Sequence, residues 1–260
     1  MGRKLGQHFL TDPRVLDRIA ESIDPNPEDT VLEIGTGRGT LTRRLAKRVS
    51  RVISIERDPI LIKGLKRSHL NQNITIVEGD ALKLDWEELW PPESSRATRK
   101  VTGNIPYYIT TPLIDKALSP PPPAVVAFLV QEEVAARICA QPGGKTYGAL
   151  SVGVQIAAVV EHLFRVKAGA FQPPPKVDSA MIRMKPRVIP EGLDIRRFRE
   201  FVTAVFSKRR KQILGILSEM KGRDRDQVTE LLNDLGFRPE DRPETIPPEG
   251  FVRLFRECSR

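Results

Sequence analysis

Four polar side chains recur at nearly equal intervals in the first half of the chain, each at the end of a short apolar run. Glu33 lies in the run Thr30 to Ile34, and Glu56 follows Val52 to Ile55, 23 residues later. Asp80 comes after Ile74 to Val77 and Asn104 after Lys100 to Gly103, at two further intervals of 24 residues. Each interval holds one strand and one helix, so the spacing predicts repeated strand–helix units and an open α/β sheet. Ligands of such sheets bind in the crevice beyond the carboxyl ends of the strands. The four polar groups are therefore expected along one sheet edge.

Two of the four sit in local patterns with their own chemistry. Glu33-Ile34-Gly35-Thr36-Gly37-Arg38-Gly39 reads as a turn leaving a strand, with glycines that let a ligand approach the backbone and a helix starting near Thr40. A dinucleotide fingerprint wants glycine at position 40, and Thr40 breaks it. The acid ahead of the glycines better suits a nucleoside ligand with an amino-acid tail. Asn104-Ile105-Pro106-Tyr107 places an amide, a proline and an aromatic ring at a strand end, a combination suited to gripping a flat, amine-bearing base. Glu56, about 20 residues past the glycines, is placed to accept from ribose hydroxyls, and Asp80 to accept from an adenine amino group. Taken singly, either acid is as consistent with a helix cap.

The remaining elements follow from pattern. Asp12 caps a helix with Pro13 at its first position and Val15, Leu16, Ile19 and Ile23 inward. Leu41, Leu45 and Val49 predict a helix after the glycine turn; Arg43, Arg44, Lys47 and Arg48 read as its solvated face. A helix over Tyr108 to Leu118, a stiff connector at Pro120 to Pro123 and a buried strand at Ala124 to Val130 come next. Gln131 to Ala140 reads as helix, and Ser151 to Val160 and Ser179 to Met184 as strands. Between these strands, Phe171-Gln172-Pro173-Pro174-Pro175-Lys176 forms a rigid loop whose ring, as a bare feature, is more often core than ligand platform. Beyond Pro186 to Gly192 every apolar pattern is helical, through Phe198, Val202 and Val205, Ile213 and Leu217, Val228 and Leu232, and Phe251 to Phe255.

A formal net charge of +9 over 260 residues favours an anionic partner, nucleic acid before membrane. The densest basic cluster is Ser207-Lys208-Arg209-Arg210-Lys211, which reads equally as a solvated helix end or a phosphate-backbone contact. Cys139 and Cys258 are too few and scattered for a disulfide framework or a metal knuckle, so a reducing compartment is expected. Met1 to Leu10 carries Arg3 and Lys4 without an apolar core, so no signal peptide is read there. No apolar run approaches the roughly 18 residues of a membrane span. The expected location is cytoplasmic.

Several stretches together resemble the ribosomal RNA adenine dimethyltransferases, the KsgA type that acts on the small subunit. They are Gly6-Gln7-His8-Phe9-Leu10, Glu33-Ile34-Gly35-Thr36-Gly37, Asn104-Ile105-Pro106-Tyr107, Tyr147-Gly148 with Leu150-Ser151-Val152, Phe171 through Ser179, and Phe206 through Lys211. Each is moderately specific; their order and joint presence are highly specific. Two departures stand out: Thr36 where many relatives carry proline, bearing on the stiffness of the turn, and Tyr108 where a polar residue often follows the tetrad, bearing on pocket width.

The resemblance implies a Rossmann-like class I methyltransferase sheet with helices on both faces over residues 1–188, and a small all-helical RNA- or ribosome-binding domain over 189–260. It implies S-adenosylmethionine as cofactor and no metal, with the small ribosomal subunit and its rRNA as partner, no membrane, and a monomer by default. Glu33, Gly35 and Gly37 would hold the methionine part, with Gln7, His8 and Leu10 closing over the cofactor. Glu56 would take the ribose and Asp80 with Ala81 the adenine. Asn104, which also borders the cofactor, and a carbonyl at Ile105 or Pro106 would hold the target N6, with Tyr107 and Phe171 stacking on the base. Lys208, Arg209, Arg210 and Lys211 would meet RNA.

Three other readings bear on the same residues. A large-subunit adenine methyltransferase of the macrolide-resistance type shares the tetrad and the loop, but the helical tail from Ile195 to Arg256 looks more like the small-subunit type. An assembly factor without chemistry would not need Glu33, Glu56, Asp80 and Asn104 intact. A dinucleotide oxidoreductase is disfavoured by Thr40 and by the tetrad.

Overall fold

The computed structural model describes residues 7–68, 70–222 and 224–259. Gly6 of the first motif, with Arg3 and Lys4, lies outside the described residues. In chain order the elements are β1 (Phe9–Leu10), α1 (Pro13–Ser22), β2 (Thr30–Ile34), α2 (Thr42–Leu45), β3 (Arg51–Glu56), α3 (Pro59–Arg67), β4 (Ile74–Glu78), β5 (Arg99–Asn104), α4 (Thr110–Ala117), β6 (Val125–Gln131) and α5 (Glu132–Ile138). They continue with α6 (Ala149–Gln155), β7 (Ala158–Val166), β8 (Phe171–Gln172), β9 (Ser179–Pro186), α7 (Ile195–Ser207), α8 (Ile213–Lys221), α9 (Arg225–Asp234) and α10 (Pro248–Ser259).

Seven strands form one sheet in the order β4-β3-β2-β5-β6-β9-β7, parallel from β4 through β6, with β9 antiparallel to β6. β1 and β8 form a separate antiparallel pair. Every residue of β2 is buried, as expected of a strand covered on both faces. On one face Leu16, Ile19 and Ile23 of the first helical segment, with Leu41, Leu45 and Val49, close over Val31, Val52, Leu129 and Met181. Asp12 Oδ1 accepts the amides of Arg14 and Val15 at the start of α1, the capping read from sequence.

The chain divides into two compact units. One runs up to Ala135 and takes in Val159–Pro186; the other joins Ala136–Ala158 to everything from Arg187 onward. The sequence reading put a single break at 188, whereas residues 136–158 group with the C-terminal helices. In that second unit Ser151 and Gln155 of α6 bond the carbonyls of Arg137, Ile138 and Ala140. Tyr147 is fully buried and donates to the Ile246 carbonyl at 2.9 Å. Its ring meets Phe206 edge-on, Phe206 stacks with Phe251, and Phe198 with Phe201 meets Phe255.

Two expected elements differ. The strand expected at Ser151 to Val160 is helix through Gln155, and β7 begins only at Ala158. Ser151, Val152, Gly153 and Val154 are all buried, and an apolar run buried all round carries no period that separates helix from strand. The helix expected from Thr40 is a single turn, α2, which starts at Thr42 after an N-cap, Leu41, that has no side-chain hydrogen bond to give, and continues as turns to Ser50. Its inward set of Leu41, Leu45 and Val49 is nevertheless buried.

Candidate active site

A crevice opens at the carboxyl ends of β2 through β5. Gln7, His8, Phe9, Ile34, Gly35, Gly37, Ile55, Glu56, Arg57 and Gly79 through Leu82 line it together with Asn104 through Ile109. Three of the four regularly spaced groups, Glu56, Asp80 and Asn104, reach this crevice. The βα repeat brings them there because parallel strands of similar length end at one edge.

Glu33 does not line it. Its side chain is 1% exposed and lies beneath the crevice, where Ser54 Oγ donates to Oε2 at 2.6 Å and Thr36 Oγ1 meets Ser54 Oγ at 2.6 Å. Glu33 and Ser54 are direct register partners on β2 and β3, which puts them side by side. Burial raises the Glu33 carboxyl from 4.5 to about 7, against the hydrogen bonds from Ser54 and Thr42 and aided by the nearby Glu56 charge.

The glycine turn is folded onto protein rather than open to an anion. Gly35 and Thr36 amides donate to the Ile55 carbonyl at 2.9 and 3.2 Å, Gly39 to Thr36 at 2.9 Å, and Gly37 to Glu56 Oε2 at 2.8 Å. Four amides of the turn, those of Gly35, Thr36, Gly37 and Gly39, are therefore taken by the protein itself. Gly37 sits at φ +57 over the Phe9 ring, 3.4 Å from where a Cβ would stand. The Arg38 guanidinium covers the same ring at 4.6 Å.

Glu56 Oε1 accepts two further amides, Arg57 at 2.8 Å and Asp58 at 2.9 Å. Asp80 Oδ1 accepts the Leu82 amide at 3.0 Å, and Oδ2 faces the exposed Arg57 guanidinium at 3.6 Å. Gln7 is held by Asp58, Nε2 donating to Oδ2 at 3.1 Å. Asp58 also caps α3 through the Ile60 amide.

At the tetrad, β5 approaches β2 so closely that a Cβ on Gly103 would lie 2.3 Å from the Ile34 carbonyl oxygen. The next residue, Asn104, donates Nδ2 to the His8 carbonyl at 2.9 Å. Ile105 turns its side chain into the core. Pro106 leads into a 3-10 turn, Tyr107–Ile109, whose Ile109 amide bonds the Pro106 carbonyl at 3.1 Å. The Tyr107 hydroxyl meets Ser179 Oγ at 2.8 Å, and burial raises its pKa against that bond.

Two residues expected at the ligand are in the core. Leu10 is 5% and Phe171 4% exposed, and both pack with Leu16, Ile19 and Met181. The cause is the β1–β8 pairing, which sets Leu10 opposite Phe171. In the second unit the basic cluster is engaged with acids: Lys208 and Lys211 both pair with Glu219, the latter at 2.6 Å, and Arg209 faces Glu244 at 3.8 Å. Sequence reading missed Phe9, Arg57, Ser54, Asp58 and Ser179 as partners of the site. Arg57 and Asp58 were foreshadowed by adjacency to Glu56; Ser54 and Ser179 become visible only through strand register and packing. Among the described residues no helix is long and apolar enough to cross a membrane, and no group of three or more His, Cys, Asp or Glu side chains could hold a metal.

A sheet of this order, with its crevice at the strand ends and this tetrad bordering it, is a Rossmann-like methyltransferase fold. The structure is similar to a dimethyladenosine transferase from Plasmodium falciparum, with a TM-score of 0.82 and 27% identity, covering 97% of this chain and 98% of that one. It is also similar to the 23S rRNA methyltransferase ErmE, with a TM-score of 0.71 and 30% identity over 97% of this chain and all of that one. In sequence it is 39% identical to ribosomal RNA small subunit methyltransferase A of Trichormus variabilis, covering 97% of this chain and 96% of that protein. The same-named protein of Rubrobacter xylanophilus is 38% identical over 99% of this chain and 95% of its own length. The model of the ribosomal RNA adenine dimethylase family matches residues 1–258, and the chain belongs to that family.

Proposed function

We propose that the protein transfers methyl groups from S-adenosylmethionine to the N6 atoms of two adjacent adenosines, in a hairpin near the 3′ end of small-subunit ribosomal RNA during ribosome biogenesis. It would work in the cytoplasm as a monomer. The observation that carries this reading is the meeting of Asn104 to Tyr107 with Glu56 and Asp80 around one crevice. The donor set suits the cofactor: two acids can accept from ribose hydroxyls and an adenine amino group, and apolar Ile55, Ala81 and Leu82 border them.

Glu56 and Asp80 with Ala81 would hold the nucleoside half of the cofactor, and Gly35, Gly37, Gln7 and the Asn104 side would border its methionine half. When bound, S-adenosylmethionine supplies a methyl group already activated on a sulfonium. The chain's own work is alignment and electrostatics. Asn104 Nδ2 is committed to the His8 carbonyl, so Oδ1 is the amide atom left to accept from the target N6. A second acceptor comes from the main chain; Pro106's carbonyl already takes the Ile109 amide, which favours that of Ile105. Two acceptors on N6 would pull the nitrogen toward a pyramidal geometry and free its lone pair, and its proton would leave to water. Tyr107, its hydroxyl fixed by Ser179, would stack on a base splayed from the hairpin, worth about 1–3 kcal/mol against the unstacking penalty.

The cluster Lys208 to Lys211 would contact the RNA backbone. Its pairs with Glu219 are surface ion pairs screened by solvent, so phosphate can replace them. The decisive measurement is transfer of labelled methyl to unmethylated small subunits, large subunits and naked RNA, with Asn104→Ala in parallel. Dimethyladenosine on small subunits, lost on substitution, is the expected result. Label on large-subunit RNA would instead indicate the activity in the name of ErmE. No label with cofactor still bound would defeat the catalytic role of Asn104.

A further inference from the structure

The loop that carries Asp80 and Ala81 past the crevice is held from behind by two side chains that do not line it, Trp86 and Lys116. The indole of Trp86 is buried, and its Nε1 donates to the Ala81 carbonyl at 2.9 Å. Lys116 lies in α4, and its Nζ donates to the Leu82 carbonyl at 3.0 Å and to the Leu84 carbonyl. The same ammonium stands over the Trp86 ring, 5.3 Å from its centroid, within cation–π range. Burial pushes the Lys116 pKa below its ordinary value, against the charges of Asp85 and Asp80. A partly buried ammonium is costly unless its N–H groups are bonded. Here two of them meet carbonyls of one loop.

These bonds set the orientation of Asp80. In a trans peptide the N–H points opposite to the C=O. Fixing the Ala81 carbonyl on Trp86 therefore turns the Leu82 amide the other way, where it donates to Asp80 Oδ1 at 3.0 Å. Fixing the Leu82 carbonyl on Lys116 turns the Lys83 amide back to the Asp80 carbonyl at 2.8 Å. The helix that supplies Lys116 begins at Thr110, directly after the turn Tyr107–Ile109 that closes the tetrad. We infer that Lys116, with Trp86, is a positioning residue for the cofactor's adenine, acting through the Ala81, Leu82 and Leu84 carbonyls to aim the Asp80 carboxylate at the 6-amino group. The inference rests on the S-adenosylmethionine reading above and adds to it a determinant of adenine selectivity that lies outside the crevice.

The test compares, by calorimetric titration, binding of S-adenosylhomocysteine and of S-inosylhomocysteine, whose 6-oxo group replaces the amino group. Wild type, Lys116→Met, Lys116→Arg, Trp86→Phe and Asp80→Ala are measured, each checked for folding by circular dichroism. Wild type is expected to prefer the adenosyl ligand by about 10-fold or more. Lys116→Met, similar in length but without donors, should lower that preference by about 3- to 10-fold. Trp86→Phe keeps a flat ring, loses Nε1 and should lower it as well; where Lys116→Met does not fold, this variant decides. Lys116→Arg keeps cationic donors and should retain most of the preference. A general loosening of the fold weakens both ligands alike and leaves their ratio unchanged. That result in folded Lys116→Met and Trp86→Phe proteins would overturn the inference. A preference unchanged in Asp80→Ala would instead remove the reading beneath it, that Asp80 takes the adenine amino group.

Discussion

The amide of Gly37 donates to Glu56 Oε2 at 2.8 Å, joining the glycine turn after β2 to the acid that ends β3. With Arg57 and Asp58 on Oε1, the carboxylate holds three amides. A carboxylate oxygen accepts two hydrogen bonds, so Oε2 keeps one site for a ribose hydroxyl. Glu56→Gln replaces one acceptor with a donor and leaves at least one of these amides facing it. Cofactor affinity is expected to fall about 10- to 100-fold and stability by about 1–3 kcal/mol. Calorimetric titration and denaturant unfolding measure the two losses.

Gly103→Ala should be among the most damaging single-methyl additions in the sheet. The new Cβ would meet the Ile34 carbonyl oxygen at 2.3 Å, backbone against backbone, with no flexible side chain to yield. β5 must shift away from β2, carrying Asn104 with it. A stability loss of about 3 kcal/mol or more is expected, with methyl transfer falling further than the folded fraction alone explains. Activity normalised to folded protein, read by circular dichroism, separates the two.

Glu33 makes stability fall as pH rises. Its carboxyl binds a proton up to about pH 7 in the folded chain and only to about 4.5 when exposed. The stabilising protonation is complete below 4.5 and is lost across the window from about 4.5 to about 7, an effect of up to about 3 kcal/mol. Glu219, depressed from 4.5 to about 2 by Lys208 and Lys211, acts in the opposite sense and below that window. Glu33→Gln should flatten the curve between pH 4.5 and 7, so the difference between variant and wild type grows with pH. Urea unfolding at stepped pH checks it; parallel curves would place the titration elsewhere.

Tyr147→Phe probes the helical unit. Removing the hydroxyl leaves the buried Ile246 carbonyl without that donor while the ring still packs on Phe206. A loss of about 1–2 kcal/mol is expected, a fall in Tm of about 2–8 °C, with cofactor affinity unchanged. Thermal melts with a cofactor titration give both numbers.

Much of this site was legible because strand–helix repeats convert sequence spacing into spatial alignment. The interval from Glu56 to Asp80 holds α3 and β4, whereas that from Asp80 to Asn104 reaches β5 through short 3-10 turns at Glu87–Leu89 and Arg96–Thr98 in place of the expected helix; all three groups still line the crevice. Capping was legible for a similar reason, since Asp12 with Pro13 acts over one turn of chain. Glu33 is buried against Ser54 one residue short of the strand end, and Ile34 borders the crevice in its place. The burial of Leu10 and Phe171 was not legible, because it follows from a pairing across 161 residues that sets one opposite the other.

The sequence by itself determined the periodic elements, the strand-end chemistry and the charge, because these depend on neighbours within one or two turns of chain. Only the tertiary structure decided which of two buried apolar runs was helix, as at Ser151 to Gln155, whose side chains answer carbonyls near the end of α5. It also decided that the glycine turn spends its amides on Ile55 and Glu56. Register, long-range hydrogen bonds and burial arise between segments far apart in the chain, and no local pattern encodes which segments will meet.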